Sequence, residues 1–268
     1  MLDRQGEAGQ AGADGMAGKS EGRNDTLTVV ALAVLAAITV TVAHEAVGHG
    51  SVCLALGGRV TLLTTSLFRC DVPSFLIDLG GPLTSLAVAA MAAVASRATR
   101  ATRPGLTLYL VLVAAMAGFW EGVYLVQVTL TEHGDLYSAW TGLAGDATVA
   151  VRVGGAAVGV AIYLVTVVFA SRMLAGALVE PRRATRTAWV AAMVATMTAA
   201  LIYRGGVGDN LINTALGIGA ASLPLLLIPR RGTGSATARA IRRSVPVISL
   251  AAVVWLAFAL TMGRGLGG

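Results

Sequence analysis

The sequence predicts an all-α polytopic membrane protein of about seven transmembrane helices, and three observations lead there. The first is composition: of 268 residues, 56% are hydrophobic and only 13% charged, where a soluble chain carries about 25% charged residues. The second is that the apolar residues fall into runs close to the ~20 residues needed to cross a ~30 Å hydrocarbon core. The third is that the arginines cluster between alternate runs. Together these exclude a soluble domain and an intrinsically disordered chain. Two cysteines are too few for a disulfide scaffold. With 5% aromatic residues and no single basic surface, a nucleic-acid partner is excluded as well.

Residues 1–25 are rich in Gly, Ala and acids, lack apolar periodicity, and read as a disordered cytoplasmic tail. The apolar run that follows starts late, is long and has no clear small-residue cleavage site, so it is expected to persist as a helix rather than act as a signal peptide. Seven apolar segments come next, at about 27–47, 75–96, 105–130, 147–178, 187–203, 211–228 and 245–263. Residues 26–146 form the expected membrane core of the site, and 147–268 supply additional transmembrane helices.

Arginine positions orient them. Arg97, Arg100 and Arg103 follow the second segment, Arg182, Arg183 and Arg186 the fourth, and Arg230, Arg231, Arg239, Arg242 and Arg243 the sixth. The alternate loops hold Arg59, Arg69 and Arg204 only. By the positive-inside rule the amino terminus is cytoplasmic and the carboxyl terminus outside, in a multi-pass protein of the plasma membrane. Membrane lipid is thus one partner.

The first segment ends in His44-Glu45-Ala46-Val47-Gly48-His49, which uses two of the three histidines in the chain. Two neutral imidazoles with a third protein ligand can hold Zn²⁺ and leave a position open for water, whose pKa then falls toward neutrality. Glu45 is the candidate general base for that water. Ionisable groups inside lipid are costly, so a functional role is the default reading for them. The spacing, however, is five rather than the four of His-Glu-x-x-His. On a regular α-helix, residues four apart lie about 40° apart, but residues five apart lie about 140° apart. One ion can be shared only if the helix widens locally, as in a π-bulge, and Gly48 is the residue that would permit it.

The six-residue string resembles the His-Glu-x-x-Gly-His motif of dipeptidyl peptidase III, a zinc peptidase. The wider chain resembles the site-2 protease group of intramembrane metalloproteases through residues 44–49, Gly57-Gly58-Arg59-Val60-Thr61, Gly80-Gly81-Pro82-Leu83 and Gly134-Asp135, in that order. The likeness spans about residues 27–140, and Ser85 stands where that group often has Asn. It implies a membrane zinc peptidase in which His44, His49 and a distal Asp, here Asp135, bind zinc. It also implies a membrane-bound or extracytoplasmic peptide as the partner cleaved. From the residues alone the third ligand stays open among Asp135, His133, Asp78, Glu121 and Asp146, with Glu121 also suited to supporting a metal-bound histidine.

Depth groups these residues. His44 lies roughly 26 Å along the first helix at 1.5 Å per residue, near the outer edge of the core. Asp78, Glu121, Asp135 and Arg152 fall in the same outer layer, where Arg152 could pair with Asp78 or Glu121. The β-branched stretch Val60–Leu67 between Gly58 and Pro73 suggests a short re-entrant hairpin. Cys53 and Cys70 flank it and can be either bonded or free thiols. Asp209 and Asn210 read as helix caps. Two other readings fit the same cluster: a hydrolase of a lipid amide or ester, and a non-enzymatic transporter or scaffold with a His/Glu metal or proton relay.

Overall fold

Each apolar run is helical, but not every helix is long and apolar enough to cross a bilayer. The computed structural model describes residues 22–228 and 238–267. Residues 1–21 of the expected tail, with Arg230 and Arg231 of the third basic loop, lie outside these. Among the described residues five helical stretches meet the length and hydropathy of a membrane span: Thr26–Ala55, Phe75–Thr99, Pro104–Thr131, Val149–Ala177 and Val207–Leu227. The expected fifth segment overlaps a helix at Pro181–Ala200 that opens with Arg182, Arg183 and Arg186, which dilute its apolar character. The expected seventh is a 16-residue helix, Val245–Leu260.

In chain order, α1 (Thr26–Thr41) runs into a π-helical segment (Val42–Gly50) and the short α2 (Ser51–Ala55). A hairpin of β1 (Val60–Leu63) and β2 (Phe68–Cys70) precedes α3 (Phe75–Thr99), α4 (Pro104–Thr131), α5 (Asp135–Ala144), α6 (Val149–Ala177) and α7 (Pro181–Ala200). Then α8 (Val207–Thr214) continues as a second π-helical segment (Ala215–Ala220), and α9 (Val245–Leu260) follows.

Local chemistry explains the starts of the first helices. Asp25 caps α1, its Oδ1 accepting from the Thr28 hydroxyl at 2.7 Å and the Thr28 N–H at 2.9 Å. These bonds, the hydroxyl's first, hold the Asp25 carboxyl below its ordinary range. Pro104 occupies the first turn of α4, where its missing N–H costs nothing. The centre of the bundle is α4, whose residues Val111–Gly122 are buried throughout. It packs along α3 and α6, while α1 packs on α4, α7 and α9. The α4–α6 crossing is close because both sides use glycine: a Cβ on Gly159 would lie 2.6 Å from the Gly122 carbonyl oxygen. Close backbone approach of this kind is how helices associate in lipid, where the hydrophobic effect gives them no reason to.

The expected hairpin is present, antiparallel, with Val60 opposite Cys70 and Leu63 opposite Phe68. Cys53 and Cys70 are joined by a disulfide, which ties β2 to the end of the first span. On its other side Leu63 exchanges two backbone hydrogen bonds with Leu266, at 2.7 and 2.8 Å. The turn of the hairpin is held from the second half of the chain. Asn210 is fully buried, and its Oδ1 accepts from the hydroxyls of Thr64 at 2.9 Å, Thr65 at 3.0 Å and Ser66 at 3.0 Å. Asn210 is therefore a hub between α8 and the hairpin rather than the helix cap expected. Asn210→Ala removes the acceptor shared by these three hydroxyls and the Asn210 Nδ2 donor to the Ala200 carbonyl, and is expected to cost about 2 kcal/mol, read as a lowered thermal unfolding midpoint in detergent. An unchanged midpoint would count against the hub.

Candidate metal centre

The π-helical segment decides how the histidines meet. Hydrogen bonding from i to i+5 stacks residues five apart nearly one above the other, so His44 and His49 emerge on the same side of the helix. Their Nε2 atoms are 3.3 Å apart. The widened turn is held against α3 by glycines on both sides: a Cβ on Gly48 would lie 2.6 Å from Gly81 Cα and 2.7 Å from the Gly80 carbonyl oxygen. This contact aligns α3 with both rings. The Ile77 carbonyl accepts from His49 Nδ1 at 2.6 Å, and Ser85 Oγ lies 3.0 Å from His44 Nδ1. From α4, Glu121 Oε1 accepts from His44 Nδ1 at 2.9 Å.

These partners fix the tautomers. A carbonyl and a carboxylate can only accept, so each Nδ1 carries the proton and each neutral ring presents a lone pair at Nε2. Two lone pairs 3.3 Å apart repel each other unless a positive centre lies between them. Aromatic rings hold the arrangement from both sides, with Trp120 stacked on His44 at 5.0 Å and Phe68 on His49 at 5.4 Å between centroids.

Asp135 completes the group. Its Oδ2 is 3.3 Å from His49 Nε2 and 3.9 Å from His44 Nε2, and one ligand atom from each residue falls within 4.8 Å of the others. The carboxylate is placed by its own backbone. Gly134 has φ of 109°, a conformation that favours glycine, and a Cβ there would lie 2.6 Å from the Tyr124 oxygen. The Tyr124 hydroxyl in turn accepts the Asp135 N–H at 2.8 Å. His44, His49 and Asp135 could thus hold a metal ion.

The shape of the site fits such an ion. A Cβ on Gly81 would collide with His49 Nε2 and lie 2.7 Å from His49 Cε1 and 2.8 Å from His44 Nε2. Glycine at 81 therefore leaves open the space into which both lone pairs point. Glu45, 4% exposed, lines the same cavity of about 460 Å³ as the three candidate ligands. Among the described residues no lysine or arginine lines it, so the field there favours a cation.

The remaining sequence candidates sit as follows. Glu121, 1% exposed, supports His44 from behind and is outside the ligand group; its Oε2 is buried with no hydrogen-bond partner among the described residues. His133 lines the cavity at its exposed rim and donates from Nδ1 to the Thr131 carbonyl at 2.6 Å. Asp78 is half-buried one residue beyond Ile77 and is also outside the ligand group. Arg152 pairs with Glu132 and donates to the Thr129 carbonyl at 2.9 Å, so it holds the end of α4 and not Asp78 or Glu121.

Sequence reading did not single out Trp120, Phe68, Tyr124 or the Ile77 carbonyl. A signal existed for some of them. Trp120, Tyr124, Gln127 and Thr131 recur at helical spacing along α4 and all line the cavity, as do Asn213, Leu216 and Gly217 from the α8 region. No such pattern could reveal a backbone carbonyl.

Fold and site together define a helical membrane protein with a two-histidine, one-aspartate group whose histidines are buried and whose aspartate is half-buried. Comparison with protein-family models, curated proteins and solved structures finds no match to the chain.

Proposed function

We propose that the protein is a membrane-embedded zinc metallopeptidase that cleaves a peptide bond near the extracytoplasmic side of the membrane. The observation that carries this reading is the convergence of His44, His49 and Asp135 around one point, with Glu45 on the wall of the same cavity. A donor set of two imidazoles and a carboxylate, with the cavity side left open, suits catalytic zinc. Zinc, when bound, supplies a Lewis acid that polarises a carbonyl and lowers the pKa of water to about 7.

The protein's own residues do the rest. His44, His49 and Asp135 hold the ion, and Glu121, Ser85 and the Ile77 carbonyl keep the imidazole lone pairs aimed at it. Glu45 removes a proton from water as its oxygen attacks the peptide carbonyl carbon. It then delivers that proton to the amine as the C–N bond breaks. Phe68 and Leu67 from the hairpin, with Trp120 and Tyr124 from α4, wall the cavity and limit the water within it. In a bilayer we count seven crossings, adding α7 and α9 to the five long spans. The arginine distribution then places the metal end outside, which agrees with a disulfide beside it, since disulfides persist in oxidising compartments.

A second reading is favoured by one observation. The site cavity shares Val123, Gln127, Thr131 and Leu216 with an adjoining groove whose accessible wall is apolar. That groove suits a substrate that keeps part of itself in lipid, so a lipid amide or ester is the alternative. The test is direct. Purified protein is expected to carry about one zinc per chain and to release new amino termini from peptides, to lose this activity to a chelator and to regain it with zinc. Acyl-chain release without peptide cleavage would select the lipid reading. Metal transport into vesicles without hydrolysis, or hydrolysis indifferent to chelation, would overturn both.

A further inference from the structure

At the end of α1 opposite the metal centre lies an open cavity of about 1120 Å³ that the proposed chemistry does not use. Thr28 on its wall is 16 residues from His44, about 24 Å along the helix. Its floor is apolar, formed by Leu32 and Leu35 of α1, Leu106 of α4 and Leu250 of α9. Its rim is the extended segment 238–244, and Arg239 and Arg242 line it there.

This rim is a fixed structure. The Arg239 N–H donates to the Ala177 carbonyl at 3.2 Å, and the Ile241 N–H to Asn24 Oδ1 at 2.9 Å. The Ile241 carbonyl accepts from the Asp25 N–H at 2.8 Å, and the Ser244 N–H donates to Thr28 Oγ1 at 3.0 Å. The strap thus holds two exposed guanidinium groups over an apolar floor, and neither enters an ion pair among the described residues. Unpaired arginines above an apolar cleft between membrane helices match a ligand with an anionic head and hydrocarbon chains. A soluble anion would leave the floor unused, and a zwitterionic lipid would leave the guanidinium charges uncompensated.

We propose that this cavity binds one anionic phospholipid, its phosphate between Arg239 and Arg242 and an acyl chain against Leu32, Leu35 and Leu250. Binding at this cavity is independent of the metal-centre reading; with the orientation proposed above, the cavity faces the inner leaflet.

The test uses the full chain in mild detergent, incubated with equimolar phosphatidylglycerol and phosphatidylcholine and read by native mass spectrometry. One phosphatidylglycerol retained in preference to phosphatidylcholine is expected. An arginine near a bilayer surface contributes roughly fivefold in affinity, so the double variant Arg239→Gln/Arg242→Gln should weaken retention about thirtyfold. Gly105→Phe tests the apolar floor: Gly105 lines the cavity and a Cβ there makes ordinary contact, 3.7 Å from Leu32 Cδ1, so the ring takes up space beside Leu32. It should reduce retention with both arginines intact. Equal retention of the two lipids, indifference to both variants, or displacement by glycerol phosphate at the same concentration would overturn the proposal. So would retention of no lipid at all, as when the chain's own residues fill the cavity. The thermal unfolding midpoint and helical circular dichroism measure folding in each variant without reference to metal, and zinc content is read separately, so a failed metal centre and a failed lipid site are distinguishable.

Discussion

Glu45→Gln is expected to keep zinc at the wild-type stoichiometry and to lower hydrolysis by about 10²–10⁴-fold, the usual contribution of a positioned general base. The expectation rests on a division of labour within six residues. His44 and His49 point their Nε2 atoms at one place, and Glu45 stands between them in sequence yet outside the ligand group. Glutamine has the same shape and fills the same buried position, so the π-helical turn is undisturbed. What it lacks is a lone pair basic enough to take a proton from water. Metal analysis beside a peptide-release assay checks both halves. Full activity in the variant would remove Glu45 from the chemistry, and loss of zinc would make it a ligand instead.

Gly81→Ala is expected to abolish zinc binding while leaving the helices intact. The added methyl would sit between His44 Nε2 and His49 Nε2, in the space the ion requires. Neither ring can swing aside cheaply. His49 is held by the Ile77 carbonyl and stacked on Phe68, and His44 is held by Glu121 and stacked on Trp120. The loss of affinity should exceed the roughly 10–100-fold that follows from removing a supporting hydrogen bond alone. Gly154→Ala is the control, since a Cβ there meets nothing within 4 Å. Unchanged helical circular dichroism, with zinc lost in the first variant and kept in the second, is the expected outcome. Zinc bound normally by Gly81→Ala would move the metal position elsewhere.

Much of the site was legible in the sequence because membrane composition makes polar residues conspicuous. With so few charges inside apolar runs, His44, Glu45, His49 and Glu121 stood out, and counting 100° per residue showed that the five-residue spacing needed a widened helix. The structure has that widening at Val42–Gly50. Asp135 was one acid among several on residue pattern alone. Its selection depended on Gly134, whose backbone turn starts α5 beside the two histidines, and on Tyr124, whose hydroxyl accepts the Asp135 N–H from 11 residues away. Ser85 was noticed only as a departure from a family pattern, but it faces His44 because Gly81, one turn earlier, lets α3 come close.

Elsewhere, sequence logic chose the wrong partner or no partner. Arg152 found Glu132 because the ends of α4 and α6 are adjacent, which depth along the membrane normal does not encode. Asn210 looked like a cap from its place before an apolar run, yet tertiary packing made it the acceptor for three hydroxyls 144 to 146 residues away. The second half of the chain, expected as additional helices, contributes Asn213, Leu216 and Gly217 to the cavity wall.

By itself the sequence determined what each segment must do with its solvent. Apolar runs seek lipid or one another, most arginines gather at or near the loops, and a short string of histidines and an acid must be compensated where it is buried. These are local demands, read from composition and period. Only the tertiary structure decided which compensation was used, because it depends on distances between segments far apart in the chain. Glycine at 48, 80 and 81 allowed two helices to touch, and that contact set the rings, the lone pairs and the space between them.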